Sequence, residues 1–188
     1  WRILRVDNPD AEPLQWQWRE VHVGSVPFPC VMGASVWRSG DCVEVLGTRG
    51  NGPHEGLMCR FPIAELLGDV AVPQWWNGAT WGTGVTSPEP LVVLDEAGPE
   101  CSLHRLGAWW LHVYSRGFGR STVAVHTAPA CTGPWSQAID VFTPPESNAA
   151  KPFVYAAKAH PELWAGDGWL GVSYAANAFD FAALFTEA

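Results

Sequence analysis

Short apolar segments separated by glycine-containing turns run along the whole chain. In three pairs of segments, the connection between the two segments contains Gly, twice together with Asp. These residues accept the positive φ that short hairpins require, so each pair has the pattern strand, tight turn, strand. The pairs are 34–37 with 42–47, 102–104 with 109–115, and 160–163 with 169–174. The pattern therefore predicts β-hairpins, and it leaves room for a helical turn at 63–67, which begins after Pro62.

A second set of segments interleaves with these hairpins. Segments 1–23, 57–81 and 122–142 each combine an apolar strand, a Trp-containing turn and a further strand. Their tryptophans, Trp18, Trp76 and Trp135, lie 58 and 59 residues apart. Together the two sets give four strands per repeat, which is the plan of a β-propeller blade. The sequence therefore predicts an all-β fold, a β-propeller of which this chain covers about three blades of four antiparallel strands each.

The repeats divide the chain into one partial propeller domain. We expect a half blade at 1–25, a blade at 26–97, a blade at 98–148 and a partial blade at 149–188. A propeller ring needs four or more blades, so we expect further blades on a second polypeptide or on chain that has been removed. The alternative is that the two ends join, with segment 1–23 supplying the outer strands for the pair 153–177.

Composition supports a packed sheet protein and excludes some partners. Hydrophobic residues make up 47% of the chain, charged residues 16%, and twelve residues are Trp. The net charge is −8 without a basic stripe, which argues against a nucleic-acid partner. No segment approaches eighteen consecutive apolar residues, so we expect no membrane span. A neutral or cationic ligand fits this acidic surface better than a polyanion does, although the charge also serves solubility.

Five cysteines give a mixed indication of compartment. Cys42 and Cys59 fall on strands expected to be neighbours across the Asn51-Gly52 turn, so a disulfide between them is open if the protein is exported. No pair of cysteines has the CxxC spacing of a structural zinc site. We therefore expect no metal site, and nothing in the sequence indicates a cofactor.

The predicted inner strands carry the candidate functional residues. In a propeller these strands surround the axis, and residues at their beginnings converge at one mouth, where ligands bind. Here the relevant segments are 32–35, 100–104 and 158–162, and two of them carry polar side chains at alternate positions. The candidates are Glu100, Ser102 and His104 on one strand, Lys158, His160 and Glu162 on another, and Gly33 on a third.

These residue types suit chemistry on a polar substrate. Two carboxylates across a pocket, here Glu100 and Glu162, can divide glycosidic cleavage, one protonating the leaving oxygen and the other acting as base or nucleophile. A neighbouring His104 or His160 would tune the proton affinity of a carboxylate. The alternative is that these groups pair with one another and fill the channel, because unpaired buried charge is costly.

A serine motif lies on the last predicted hairpin. Gly171-Val172-Ser173-Tyr174-Ala175 loosely resembles a nucleophile elbow, in which the serine sits on a sharp strand-to-helix turn. Ser173 is predicted to lie in the middle of a strand, so the motif does not favour a serine hydrolase.

The second half of the chain resembles a known family. The segments that carry the resemblance are 98–104, 127–129, Gly133-Pro134-Trp135-Ser136, 155–163 and 173–177. They look like the C-terminal blades of bacterial proteins of the domain-of-unknown-function 4185 type. That type is similar to the five-bladed propeller glycoside hydrolases, including the family 43 arabinanases and xylosidases. The Gly-Pro-Trp turn is widespread in that group and indicates fold, whereas Lys158-Ala159-His160-Pro161-Glu162 is more specific.

The resemblance implies a five-bladed ring that acts on an oligo- or polysaccharide such as arabinan or xylan. It implies Glu100 as the general acid. The substrate-binding residues that we expect from their places on the inner strands are Ser102, His104, Lys158, His160, Glu162 and Gly33. The resemblance also implies a secreted or periplasmic protein. Related enzymes take an aspartate from an early blade, so the isolated chain would lack half of that acid-base machinery. The runner-up is a non-catalytic carbohydrate-binding or scaffolding propeller.

Overall fold

The computed structural model describes residues 1–24, 28–83, 91–148, 152–163, 168–180, 182 and 185. The chain forms two compact units. The first contains Trp1–Arg49 and Leu57–Val92, and the second contains Gly50–Gly56 and Val93–Ala188. Nearly all regular structure in the described residues is β, which confirms the predicted all-β class.

The first unit is built from two sheets and one helical turn. Strands β1 (Ile3–Val6), β2 (Trp18–Val23) and β6 (Val70–Ala71) form a three-stranded sheet in which β1 and β2 are antiparallel and β6 runs parallel to β2. The second sheet has the order β3 (Val31–Ser39), β4 (Cys42–Arg49), β5 (Glu55–Pro62), β7 (Gln74–Trp76), β8 (Trp81–Thr83). Helix α1 (Ile63–Leu67) follows Pro62, as predicted. Strand β9 (Val92–Leu94) begins at the last residue of the first unit and continues into the second.

The core of the first unit lies between these sheets and the helical turn. Leu57, Cys59 and Phe61 lie on one face of β5, belong to this core and are at most 1% exposed. Met58, on the other face of the strand, is buried as well. Trp75 of β7 packs against Phe28 with ring centroids 4.8 Å apart. Trp75 is therefore a packing residue of this core.

The second unit holds one four-stranded sheet and one hairpin. Strands β10 (Cys101–Leu106), β11 (Trp109–Arg116), β12 (Thr122–Ala128) and β13 (Ile139–Phe142) form an antiparallel sheet in chain order. Strands β14 (Pro152–His160) and β15 (Gly171–Ala178) form the hairpin. Gly107, at φ 61, closes the turn between β10 and β11, which explains why the sequence located this hairpin.

Three predicted details differ in the structure. The strand expected at 160–163 ends at His160, and Pro161–Leu163 forms a 3-10 turn because proline cannot donate to a strand ladder and suits the first position of a helical turn. Trp135 lies in the connection between β12 and β13, whereas Trp18 and Trp76 lie in strands. Strand β2 of segment 1–23 pairs with β6 in parallel, whereas the sequence predicts antiparallel strands.

The disulfide between Cys42 and Cys59 does not form, and both thiols are free. Strands β4 and β5 are neighbours, as predicted. The Ile63 N–H donates to the Asp41 carbonyl at 2.8 Å, so Cys42 lies beside the end of β5. Cys59 lies three residues before that end, roughly 10 Å along the strand. A disulfide requires Cα atoms within about 7 Å, so the register keeps the two thiols apart.

Candidate functional site

A cleft of about 620 Å³ opens in the second unit. It lies beside the residues that precede β10 and beside the first half of β14. Two carboxylates, Glu96 and Glu100, line it. Glu100 is exposed and makes no hydrogen bond to any described residue, whereas Glu96 is partly buried. The expected general acid therefore faces a cavity that is large enough for a small ligand.

Glu96 is held in place by Arg116 of β11. The guanidinium Nε lies 3.2 Å from Glu96 Oε2, and Nη1 of the same arginine lies 3.4 Å from Asp140 Oδ1. Tyr114, on the same strand and in the cleft wall, has a raised phenol pKa because of its burial and because of the negative charge of Glu96. Sequence reasoning missed Glu96, because its place in the cleft depends on an arginine twenty residues away.

Aromatic rings form part of the cleft wall. Phe118, Phe153 and Tyr155 line it, with Phe153 5.7 Å from each of the other two rings. Phe118 is 77% exposed, so its face is open to a ligand. A bulge in β14 adjoins these rings, and Ala156 takes a left-handed conformation there with φ 57. Such strain in a non-glycine residue is concentrated at functional sites.

Strand β14 lies beside β10 and runs in the same direction. Cys101 of β10 pairs with Tyr114 of β11, so Ser115 lies level with Glu100. The Ser115 hydroxyl binds the Ala157 N–H, and the Ser102 hydroxyl binds the Ala159 N–H. A step of two residues along β10 therefore matches a step of two residues in the same direction along β14. As a result, Glu100 lies at the beginning of this strand pair, and Lys158 and His160 lie at its end.

Serine hydroxyls attach β14 to the four-stranded sheet. The Ala159 N–H donates to Ser102 Oγ at 2.8 Å, and the Ala157 N–H donates to Ser115 Oγ at 3.0 Å. Ala157 and Ala159 are buried against Val113 of β11. Ser102, a predicted substrate-binding residue, is itself buried and serves to position β14.

Replacing Ser102 with alanine is expected to lower the free energy of unfolding by about 1–3 kcal/mol, because the buried Ala159 N–H loses its acceptor. Urea unfolding followed by circular dichroism measures the change. The control is Ser39→Ala, at an exposed position in β3, which should change stability by less than about 0.5 kcal/mol. Equal stability of the two variants would contradict the positioning role of Ser102.

Polar groups from three elements meet at the end of β14. His160 Nδ1 lies 3.0 Å from Glu162 Oε1, and His160 Nε2 lies 2.7 Å from Ser173 Oγ. His104 of β10 adjoins them, and its pKa is lowered, mainly by burial and also by the nearby His160, against the opposing effect of Glu162. The pKa of Glu162 is lowered by a hydrogen bond to its backbone and by the hydrogen bond with His160.

The structure thus divides the predicted site residues into three groups. Ser102, His104, Lys158, His160 and Glu162 gather around the second half of β14. Glu100 lies in the cleft beside the first half. Gly33, with φ 99, lines a cavity of about 220 Å³ in the other unit, where a bulge in β3 requires its positive φ. The substrate-binding role of these residues stays a prediction.

Metal-binding clusters and membrane-spanning helices are both absent from the described residues. No cluster of three or more His, Cys, Asp or Glu side chains suited to a metal ion occurs in the described ranges. Within the same ranges, every helix is too short or too polar to cross a bilayer.

Among known proteins, similarity to this chain is found in solved structures. No family model matches the sequence. No curated protein matches it. Among solved structures, the chain is similar to a protein of Bacteroides ovatus described as "a putative hydrolase", with a TM-score of 0.63 and 17% sequence identity. The match covers 83% of this chain and 41% of the other.

At that identity the likeness establishes a shared fold and nothing more. The chain spans about two fifths of the relative's length. Membership of the domain-of-unknown-function 4185 type, and similarity to the family 43 enzymes, stay predictions.

Proposed function

We propose that this chain is part of a carbohydrate-active β-propeller, a glycoside hydrolase for arabinan-like or xylan-like polysaccharide. The observation that carries the proposal is the cleft of the second unit, which combines two carboxylates, Glu96 and Glu100, with a wall of aromatic rings. Carboxylates supply the acid and the base or nucleophile of glycosidic cleavage. Aromatic faces match the apolar faces of sugar rings.

The proposed architecture is a five-bladed ring. Its support is the four-stranded antiparallel sheet β10 to β13, which has the blade order in sequence, and the parallel neighbour relation of β10 and β14, as expected of inner strands around an axis. Under this proposal the blades correspond to 1–25, 26–97, 98–148 and 149–188. A ring of this type needs more blades, which a second polypeptide or further chain would supply. Its polysaccharide substrate places the protein in a secreted or periplasmic compartment.

The roles of the two carboxylates follow from their surroundings. Glu100 is exposed and has no partner among the described residues, so its side chain is free to turn towards a leaving oxygen. Glu96 is oriented by Arg116, and an oriented carboxylate suits the base or nucleophile. The separation of the two carboxyl groups in the substrate complex would then decide between inversion and retention.

Saccharide binding is the first test of this proposal. Arabino- and xylo-oligosaccharides are titrated into the 188-residue chain by isothermal calorimetry. Phe118→Ala is expected to raise Kd about tenfold, which corresponds to the roughly 1.4 kcal/mol of one sugar–aromatic contact. Phe118 is mostly exposed, so the fold should tolerate the change. The matched control is Trp109→Ala, at an aromatic residue 57% exposed and outside the cleft, which should keep the wild-type Kd. Wild-type protein that binds neither sugar class would overturn the proposal.

A non-catalytic carbohydrate-binding role is the second candidate. The observation in its favour is that Glu96 is engaged by Arg116, which also bridges to Asp140, an arrangement found in structural ion pairs. Binding without release of reducing sugar, in protein assembled with any companion chain that mass spectrometry detects, would favour this role over hydrolysis.

A further inference from the structure

Three side chains at the end of β14 form a hydrogen-bonded series. Ser173 Oγ lies 2.7 Å from His160 Nε2, and His160 Nδ1 lies 3.0 Å from Glu162 Oε1. A carboxylate accepts and cannot donate, so Nδ1–H donates to Glu162 and the neutral ring leaves Nε2 free to accept from the serine hydroxyl. This is the nucleophile, base and orienting carboxylate geometry of serine hydrolases.

Local structure explains how the series arises. In the β14–β15 register Lys158 is opposite Ser173 and His160 is opposite Gly171. Paired residues and alternate residues share a face, so His160 and Ser173 are diagonal neighbours on one face of the hairpin. Pro161 then starts the 3-10 turn, which brings Glu162 back to the imidazole.

The strand that carries the base is well anchored. Ala159, directly before His160, is bound to Ser102 and is buried. Its neighbours in sequence, Lys158 and His160, therefore point to the opposite side of β14, where Ser173 is exposed. Ser173, His160 and Glu162 thus lie on an open surface of a strand pair that is fixed in place.

We propose that Ser173, His160 and Glu162 form a second active site, which hydrolyses esters of short-chain carboxylic acids. Ser173 is the nucleophile, His160 the general base, and Glu162 a positioning residue that holds the imidazole tautomer. The class of substrate follows from the surroundings: the site is open to a large alcohol portion, and Leu163, lying over Gly171, offers a small apolar contact for a short acyl chain.

The chemical step balances with water as the only co-reactant. Ser173 Oγ attacks the ester carbonyl carbon while its proton passes to His160 Nε2. The tetrahedral intermediate then collapses, the C–O bond to the alcohol breaks, and the imidazolium returns the proton to the departing alcohol oxygen. Water attacks the acyl-serine by the same route and releases the carboxylic acid.

Lys158 places a positive charge beside the proposed nucleophile. It is exposed, and its position opposite Ser173 places a positive charge on the same face as the oxyanion that forms during attack. Cationic groups can stabilise such a charge in place of backbone donors. The titratable groups around His160 are Lys158 on its own strand, Glu162 on the 3-10 turn and His104 on β10. Acidification should abolish the reaction, because a protonated imidazole cannot accept the serine proton.

The first experiment measures covalent labelling and ester turnover. The 188-residue chain is treated with a fluorophosphonate probe, and peptide mass spectrometry locates the adduct, which is expected on Ser173. Hydrolysis of p-nitrophenyl acetate is expected to show saturation, and Ser173→Ala should lower kcat/KM about a hundredfold or more. The matched control is Ser39→Ala, at an exposed serine in β3 of the other unit, which should keep wild-type labelling and turnover. Unfolding curves verify that both variants are folded.

A second experiment separates catalysis from structural support. Glu162→Gln keeps the side-chain shape, and it should lower kcat at least tenfold with little change in KM and shift the pH profile of the reaction. The control Glu12→Gln, at an exposed residue of the other unit, should leave both parameters unchanged. A role of Glu162 in stability alone would lower the unfolding midpoint and leave kcat of the folded fraction intact.

The results that overturn the inference are distinct from those that overturn the proposed glycoside activity. An unlabelled Ser173 in wild-type protein, or Ser173→Ala with wild-type ester turnover, rejects the second site. Oligosaccharide titration of the same preparations reports the cleft independently, because neither Ser173 nor Glu162 lines it.

Discussion

Acidification from pH 6.5 to pH 4.5 is expected to destabilise this protein by roughly 3 kcal/mol through His112 alone. His112 lies in β11 and is 0% exposed. Burial, and to a smaller extent the charge of His126, lowers its pKa from the ordinary 6.5 to about 3. The ring is enclosed by other aromatic groups, with Tyr114 at 5.0 Å and Trp135 at 6.2 Å between centroids.

The direction follows from proton linkage. Between pH 6.5 and pH 3 the unfolded chain binds a proton at His112 and the folded chain does not, so each step down in pH favours unfolding. Above pH 6.5 the imidazole is neutral in both states, and its contribution is complete. Below pH 3 both states are protonated, and the loss no longer grows.

Urea unfolding at pH 7.5 and pH 4.5 measures this effect. His112→Phe keeps a ring of similar size without a titratable group. Over this interval the free energy of unfolding of the variant should fall by roughly 3 kcal/mol less than that of the wild type. His22→Gln, at an exposed position in β2, should retain the wild-type dependence. If His112→Phe does not fold, long-range nitrogen–proton NMR of the wild type still decides, because a His112 ring that protonates near pH 6.5 in the folded state contradicts the prediction.

The hairpins were predictable because their turns are encoded locally. Gly40 and Gly107 stand where the backbone takes φ 58 and φ 61, and apolar strands flank them. The prediction of a strand at 160–163 was wrong, and the reason also lies in the local sequence. Pro161 was visible in the sequence, and its missing N–H ends β14 one residue before it.

The site was less predictable, since its parts meet through tertiary contacts. Glu96 stands out only when Arg116 lies beside it, and the sequence offers no sign of that pairing. Ser173 was set aside because it lies in a strand without the sharp turn of a nucleophile elbow. The structure keeps it in the strand and brings His160 to it across the hairpin, a diagonal relation that depends on the register of β14 and β15.

The alternating polar pattern on β10 and β14 has a different structural consequence on each strand. On β10, Ser102 is directed into the protein and holds β14. On β14, Lys158 and His160 are directed outwards, where chemistry is accessible. The same alternation therefore supplies a positioning residue on one strand and a reactive surface on the next.

Under the proposed function, Glu100→Gln in protein assembled with its companion chain is expected to lower kcat on arabinan or xylan by a factor of about 10²–10⁴, because the amide cannot protonate the leaving oxygen. The loss should be much smaller on a p-nitrophenyl glycoside of the same sugar, since that leaving group departs without a proton. Reducing-sugar release and p-nitrophenol absorbance measure the two rates in wild type, Glu100→Gln and the control Glu12→Gln, which should match wild type on both substrates. Equal losses on the two substrates would assign Glu100 to substrate binding, and full turnover by Glu100→Gln would remove it from the mechanism.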